Sequence, residues 1–148
     1  MTRTGAVWMR APTVFGRTVI VVAGGITDGI YVSRNGGNDW TLRQVPPHSY
    51  GGLAFSLASA TTWLVGAGKR MWLTSDAGRS WRFVPMHDVA KSPNANLFQL
   101  DFSSRHSGWA LFGNTLYRTV DGGVHWRRAE PHWVVVKQVG GVVKRVRS

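Results

Sequence analysis

The chain has 148 residues, no cysteine, 43% hydrophobic residues and a formal net charge of +11 at pH 7. That length fits one domain with ample apolar content for a core, and the lack of cysteine excludes disulfides and thiolate metal sites. The positive charge favours acidic partners through long-range attraction, but the arginines are scattered rather than gathered, so no specific nucleic-acid footprint is expected.

No stretch sustains a helical period. Short runs of β-branched, aromatic and aliphatic residues alternate with turn residues instead, the pattern of an all-β fold. In chain order, 6–10, 18–23, 29–33 and 39–43 read as a first group of four strands, closed off by Pro46-Pro47. The longest apolar run near the start, 19–23, is too short for a spanning helix and too β-branched for a signal peptide, so neither is read here and the compartment stays open. A second group follows at 52–57, 62–66, 70–74 and 80–84, ending before Lys91-Ser92-Pro93-Asn94. A third covers 97–102, 108–112, 115–119 and 125–129. In the tail, 132–137 and 142–147 read as two more strands around the turn Gly140-Gly141.

Between the third and fourth strands of each group one eight-residue pattern recurs: SRNGGNDW at 33–40, TSDAGRSW at 74–81 and TVDGGVHW at 119–126. Such a return at a period of about 40 to 45 residues marks a repeat architecture, each repeat being one supersecondary unit. Ser33, Thr74 and Thr119 supply a hydroxyl that ties the turn back on itself. Asn35, Asp76 and Asp121 are expected to accept from amides two residues on, as in Asx turns. Gly37, Gly78 and Gly123 suit a positive φ. Trp40, Trp81 and Trp126 are expected to lie over the turn and bury a large ring.

These residues resemble the Asp-box of the sialidase-type BNR repeat family, with Asn35 departing from the aspartate of the other two copies. The stretch LDFSSRHSGWALFGNTLYRTVDGGVHW at 100–126 looks like the photosystem II assembly factor type of Asp-box propeller. The resemblance implies a β-propeller with the box in the turn between strands three and four of each blade. The expected architecture is a single partial β-propeller over 1–148, with blades at about 6–43, 52–84 and 97–129 and an incomplete fourth blade or tail at 131–148. Because the tail stops within a blade, the chain reads as a piece of a larger protein, or as one that self-associates through open sheet edges.

Trp8, Trp63, Trp72 and Trp109 fall in strand runs and are expected in the core or between blades, while Trp133 has no assigned place. Arg10-Ala11-Pro12 is faintly similar to the Arg-Ile-Pro element of sialidases. Glycoside hydrolysis needs two carboxyl groups at a defined separation, and no pair among Asp28, Asp39, Asp88, Asp101 and Glu130 has that context. The five histidines show no zinc spacing, so neither a metal nor a cofactor is expected. The reading is a non-catalytic binding or assembly scaffold with a protein or glycan partner, an acidic surface favoured. By analogy with the assembly factor family, Arg70, Arg118 and Arg127 are the residues to watch. Arg128, Lys144, Arg145 and Arg147 extend this candidate anionic-partner surface. The family resemblance leans toward an extracytoplasmic or secreted location. The alternative is part of a sialidase-like or xyloglucan-cleaving enzyme whose catalytic residues lie outside this sequence.

Overall fold

The computed structural model describes residues 6–25, 28–46, 54–89, 96–129, 134–139 and 142–147. The segments around Pro47 and Pro93, and Glu130 and Trp133, lie outside them. The described residues are all-β and hold no helix long and apolar enough to cross a membrane.

The first sheet contains β1 (Ala6–Met9), β2 (Thr13–Phe15), β3 (Thr18–Gly25), β4 (Gly29–Ser33) and β5 (Thr41–Gln44). Its order is β1-β3-β4-β5, with β2 continuing the edge of β3 that β1 leaves. The innermost strand is thus broken in two, and Pro12 sits in the break. Proline has no amide to donate to a ladder, so it interrupts the pairing at that point. The middle sheet is a plain antiparallel meander of β6 (Ala54–Leu57), β7 (Trp63–Ala67), β8 (Arg70–Thr74) and β9 (Arg82–Val84). The third repeats it with β10 (Leu97–Phe102), β11 (Gly108–Phe112), β12 (Thr115–Thr119) and β13 (Arg127–Arg128). Last, β14 (Val134–Val139) and β15 (Val142–Arg147) pair as a two-stranded sheet.

The first three sheets stack face to face. Successive residues of a strand point to opposite faces, and β7 uses both. Trp63, Val65 and Ala67 enter the core shared with Ile20, Val22, Ile30 and Val32 of the first sheet. Leu64 enters the core shared with Leu100, Phe102, Ala110, Phe112 and Trp126 of the third. Gly66 faces that same side: a Cβ there would lie 2.0 Å from Leu97 Cδ2. Its missing side chain therefore admits Leu97. This double burial explains why WLVGA contains no polar alternation; every residue of β7 is buried. Across the sheet boundary the Phe102 amide of β10 donates to Ser56 Oγ of β6 at 2.8 Å, and the Leu97 amide donates to the carbonyl of Gly68 in the turn between β7 and β8 at 2.9 Å.

The strand tryptophans divide by face. Trp63 and Trp72 are buried, as expected, whereas Trp8 and Trp109 are 39% and 42% exposed. Trp109 follows Gly108 in β11 as Leu64 follows Trp63 in β7, but on the third sheet that side faces away from the middle sheet. The strand position that is core as Leu64 in the middle blade is therefore surface as Trp109 in the third.

Candidate functional site

Each repeated octapeptide forms the corner between the third and fourth strands of its sheet. The hydroxyl at its first position is buried and acts twice. Ser33 Oγ, Thr74 Oγ1 and Thr119 Oγ1 accept from the amides of Gly37, Gly78 and Gly123 at 2.8, 2.9 and 3.0 Å. They donate in turn to Asn35, Asp76 and Asp121 Oδ1 at 3.0, 2.7 and 2.9 Å. That same Oδ1 accepts from the amide four residues on, at Asp39, Ser80 and His125, each at 2.9 Å. This corrects the simple Asx expectation. The amide two residues on turns to the hydroxyl instead, because two consecutive positive-φ residues fold the chain back. Those residues are Gly36-Gly37, Ala77-Gly78 and Gly122-Gly123.

The corners also bond to the loop between the first two strands of their own sheet. The amides of Gly36, Ala77 and Gly122 donate to the carbonyls of Arg17, Thr61 and His106, all at 2.9 Å. The tryptophans diverge. Trp126 is 1% exposed and its indole donates to the Gly123 carbonyl at 2.8 Å. Trp40 makes the equivalent bond to Gly37 at 2.9 Å yet is 45% exposed. Trp81 reaches across to the Gln44 carbonyl of the first sheet at 3.2 Å. The expected burial therefore holds fully only for the third ring.

Hydrogen bonding governs the charge of the corners. Bonds from the Ser80 side chain and amide, with Thr74, hold the Asp76 carboxyl well below the usual carboxylate range. At Asp121, burial pushes the pKa up, but the amide and ring of His125 and the Thr119 hydroxyl together outweigh it and leave the value at about 2. The His125 ring nitrogen lies 2.7 Å from Asp121 Oδ2. Both aspartates are occupied by their own turns, which leaves neither free as a catalytic carboxylate.

The candidate arginines are not all brought together. In the third sheet Asp101, Trp109, Arg118 and Arg127 are successive register partners, so they form one row on the outward face, and all four are exposed. The Arg118 guanidinium lies 5.5 Å from the centre of the Trp109 ring, within reach of a cation–π contact. Arg128 pairs with the buried Tyr117 and so belongs to the other face of its strand. Arg70 pairs with Ala67 beside the far hairpin of the middle sheet, the strand end remote from the corners. Lys144, Arg145 and Arg147 belong to β15. From sequence Trp109 reads as core or inter-blade packing; the structure places it on this exposed row.

Two of the cavities formed by the described residues are lined by other arginines. One, of about 220 Å³, opens between the innermost strands and is lined by Arg10, Ile20, Phe55, Leu100 and Asp101, with the Arg10 guanidinium 5.7 Å from the Phe55 ring centre. The other, of about 340 Å³, lies beside the first corner.

No sequence family and no curated protein matches the chain. Among solved structures it is similar to YCF48 bound to D1 peptide, with 23% identity over 85% of this chain and a TM-score of 0.62. It spans 40% of the length of that protein. An ancestral GH74 enzyme is similar at 18% identity, with a TM-score of 0.54 over 85% of this chain and 19% of the enzyme. YCF48 from Cyanidioschyzon merolae aligns at 12% identity and a TM-score of 0.41, over 82% of this chain and 69% of its own. Stacked four-stranded antiparallel sheets and the likeness to YCF48 and the GH74 enzyme together make the chain an all-β partial β-propeller.

Proposed function

We propose that the chain is a non-catalytic binding scaffold of Asp-box blades, reading 1–148 as one partial propeller, and that its third blade docks an acidic protein segment. The observation that carries this is the exposed row Trp109-Arg118-Arg127, in which the Arg118 guanidinium stacks on the Trp109 ring. A rigid aromatic flanked by arginine is the composition that dominates binding energy at protein interfaces. The guanidinium fork also pairs with carboxylates in a bidentate manner. YCF48, which shares the fold, is bound to a D1 peptide; peptide binding is carried over to this chain as part of the proposal. The engagement of Asp76 and Asp121 within their own corners agrees with a scaffold role.

The test is titration of the chain with acidic peptides, followed by calorimetry. Arg118→Gln is expected to weaken binding about tenfold, the loss of a hydrogen bond to a charged group, and raised salt is expected to weaken it further. Undiminished binding by both Arg118→Gln and Trp109→Ala would place the site elsewhere. Turnover of sialosides or xyloglucan by the purified chain would overturn the non-catalytic reading.

A further inference from the structure

The cavity beside the first corner is lined by three arginines from separate parts of the chain: Arg34 in the first corner, Arg43 on β5 and Arg79 in the second corner. Packing of the second sheet against the first assembles it. The stem of Arg43 lies over Gly78, where an added Cβ would come within 3.2 Å of Arg43 Cβ and 3.4 Å of its Cγ. Arg43 Nε is buried and has no acceptor among the described residues.

Charge in this cavity is uncompensated. Asp39 is the one carboxylate lining it, and its Oδ2 accepts from Asn35 Nδ2 at 2.6 Å. None of the three guanidiniums forms an ion pair among the described residues. Three arginines against one aspartate leave an excess of two positive charges. The departure of the first corner from the other two contributes directly. Where Asp76 and Asp121 would each add a negative charge, Asn35 adds none and takes up the Asp39 carboxylate with its amide.

We propose that this cavity binds a compact doubly charged oxyanion, a phosphate group. Two excess positive charges match the dianion, which carries nearly two negative charges near neutral pH. Guanidinium forks suit its oxygens, and three of them converge on this cavity. A water takes about 30 Å³ in the liquid, so about 340 Å³ holds a phosphate together with part of whatever it is esterified to. The site involves the first two blades and is independent of the Trp109-Arg118-Arg127 row.

The experiment is thermal unfolding of the full chain at constant ionic strength with rising inorganic phosphate, phenyl phosphate or succinate. Each protein is compared with its own phosphate-free transition. Phosphate is expected to raise the transition in a saturable manner, as a ligand of the folded state must. Arg79→Gln and Asn35→Asp are each expected to lower the apparent affinity about tenfold or more, and Arg79→Lys to recover part of it. Tighter binding of phenyl phosphate identifies an esterified ligand, and equal binding identifies free phosphate; either supports the site. An equal shift with succinate, or an undiminished phosphate shift in both Arg79→Gln and Asn35→Asp, would overturn it.

Discussion

Trp40 and Trp126 hold the same place in the repeat and make the same indole bond, at 2.9 and 2.8 Å. They differ in burial, 45% against 1% exposed. Replacing each by alanine therefore separates the contribution of the lid's burial from that of its hydrogen bond. A tryptophan buries roughly 200 Å² at about 25 cal/mol per Å², so Trp126 contributes about 5 kcal/mol of transfer energy at the upper bound and Trp40 a little over half of that. Loss of the indole bond is common to both and cancels in the comparison. Trp126 also packs edge-on against Phe102 and Phe112, with ring centres 6.0 and 6.4 Å away, and its removal leaves a cavity that Trp40 would not. Trp126→Ala is therefore expected to cost at least about 2 kcal/mol more than Trp40→Ala. For a chain of this size that corresponds to a gap of about 4–8 °C in melting temperature. Far-ultraviolet circular dichroism during heating or urea titration measures it without depending on the removed fluorophore. Equal losses for the two substitutions would mean that the turn's hydrogen bond, and not the buried ring, sets the stability of the corner.

Thr74→Val keeps the shape of the side chain but leaves the buried Gly78 amide without its acceptor, at an expected cost of about 1–3 kcal/mol, measured as a lowered urea midpoint. Gly123→Ala is expected to destabilise more than Gly36→Ala. Both positions have positive φ, but a Cβ at 123 would lie 2.2 Å from Met71 Cε while that at 36 meets nothing within 4 Å; similar losses at the two sites would show that backbone strain alone matters. Asp121 has a pKa of about 2 against an ordinary 3.8, so the folded corner binds fewer protons than the unfolded chain between those values. Its contribution is complete above about pH 4 and is lost as pH falls through about 2. Asp121→Asn should flatten stability across that window, and an unchanged acid profile would remove the corner from the explanation.

The corners were legible because their chemistry is local. A hydroxyl, a carboxylate or amide, a glycine at positive φ and an indole sit within eight residues, and all three copies occupy equivalent places. The bond from Oδ1 to the amide four residues on was not legible, since it depends on how sharply two left-handed residues turn the chain. Strand β2 escaped notice because Thr13–Phe15 is three residues long and follows a proline, too little sequence to show alternation. An aromatic in a strand reads alike on either face, so the sequence of β11 points Trp109 to the core although it is exposed. Which face is covered depends on the neighbouring sheet, a contact that no local pattern encodes. The same limit applies to the arginines. Arg118 and Arg127 become neighbours only through the register of β12 and β13, Arg70 is held at the opposite strand end, and Arg34, Arg43 and Arg79 meet only when two blades pack.

The differences among the corners follow from where each one sits in the stack. The second and third corners lie against the preceding blade. Gly78 faces Arg43 of the first sheet, and Gly123 faces Met71 of the second. Hydrogen bonds reinforce the contacts: the Trp81 indole donates to the Gln44 carbonyl across one boundary, while the His87 amide donates to the Val124 carbonyl and the His87 carbonyl accepts from the Trp126 amide across the next. A corner is therefore a joint between blades as well as the end of a hairpin. Glycine at its fifth position serves both roles, allowing the positive φ and letting the neighbouring sheet approach. At the first corner a Cβ on Gly37 would meet only its own Trp40, 3.8 Å away, and no described sheet lies on that side. There the indole stays half in solvent. In a stacked repeat of this kind stability is a sum of each unit and its contacts with its neighbours. Among the described residues the first corner shows the unit contribution alone, with Asn35 in place of the aspartate and the Trp40 ring half in solvent.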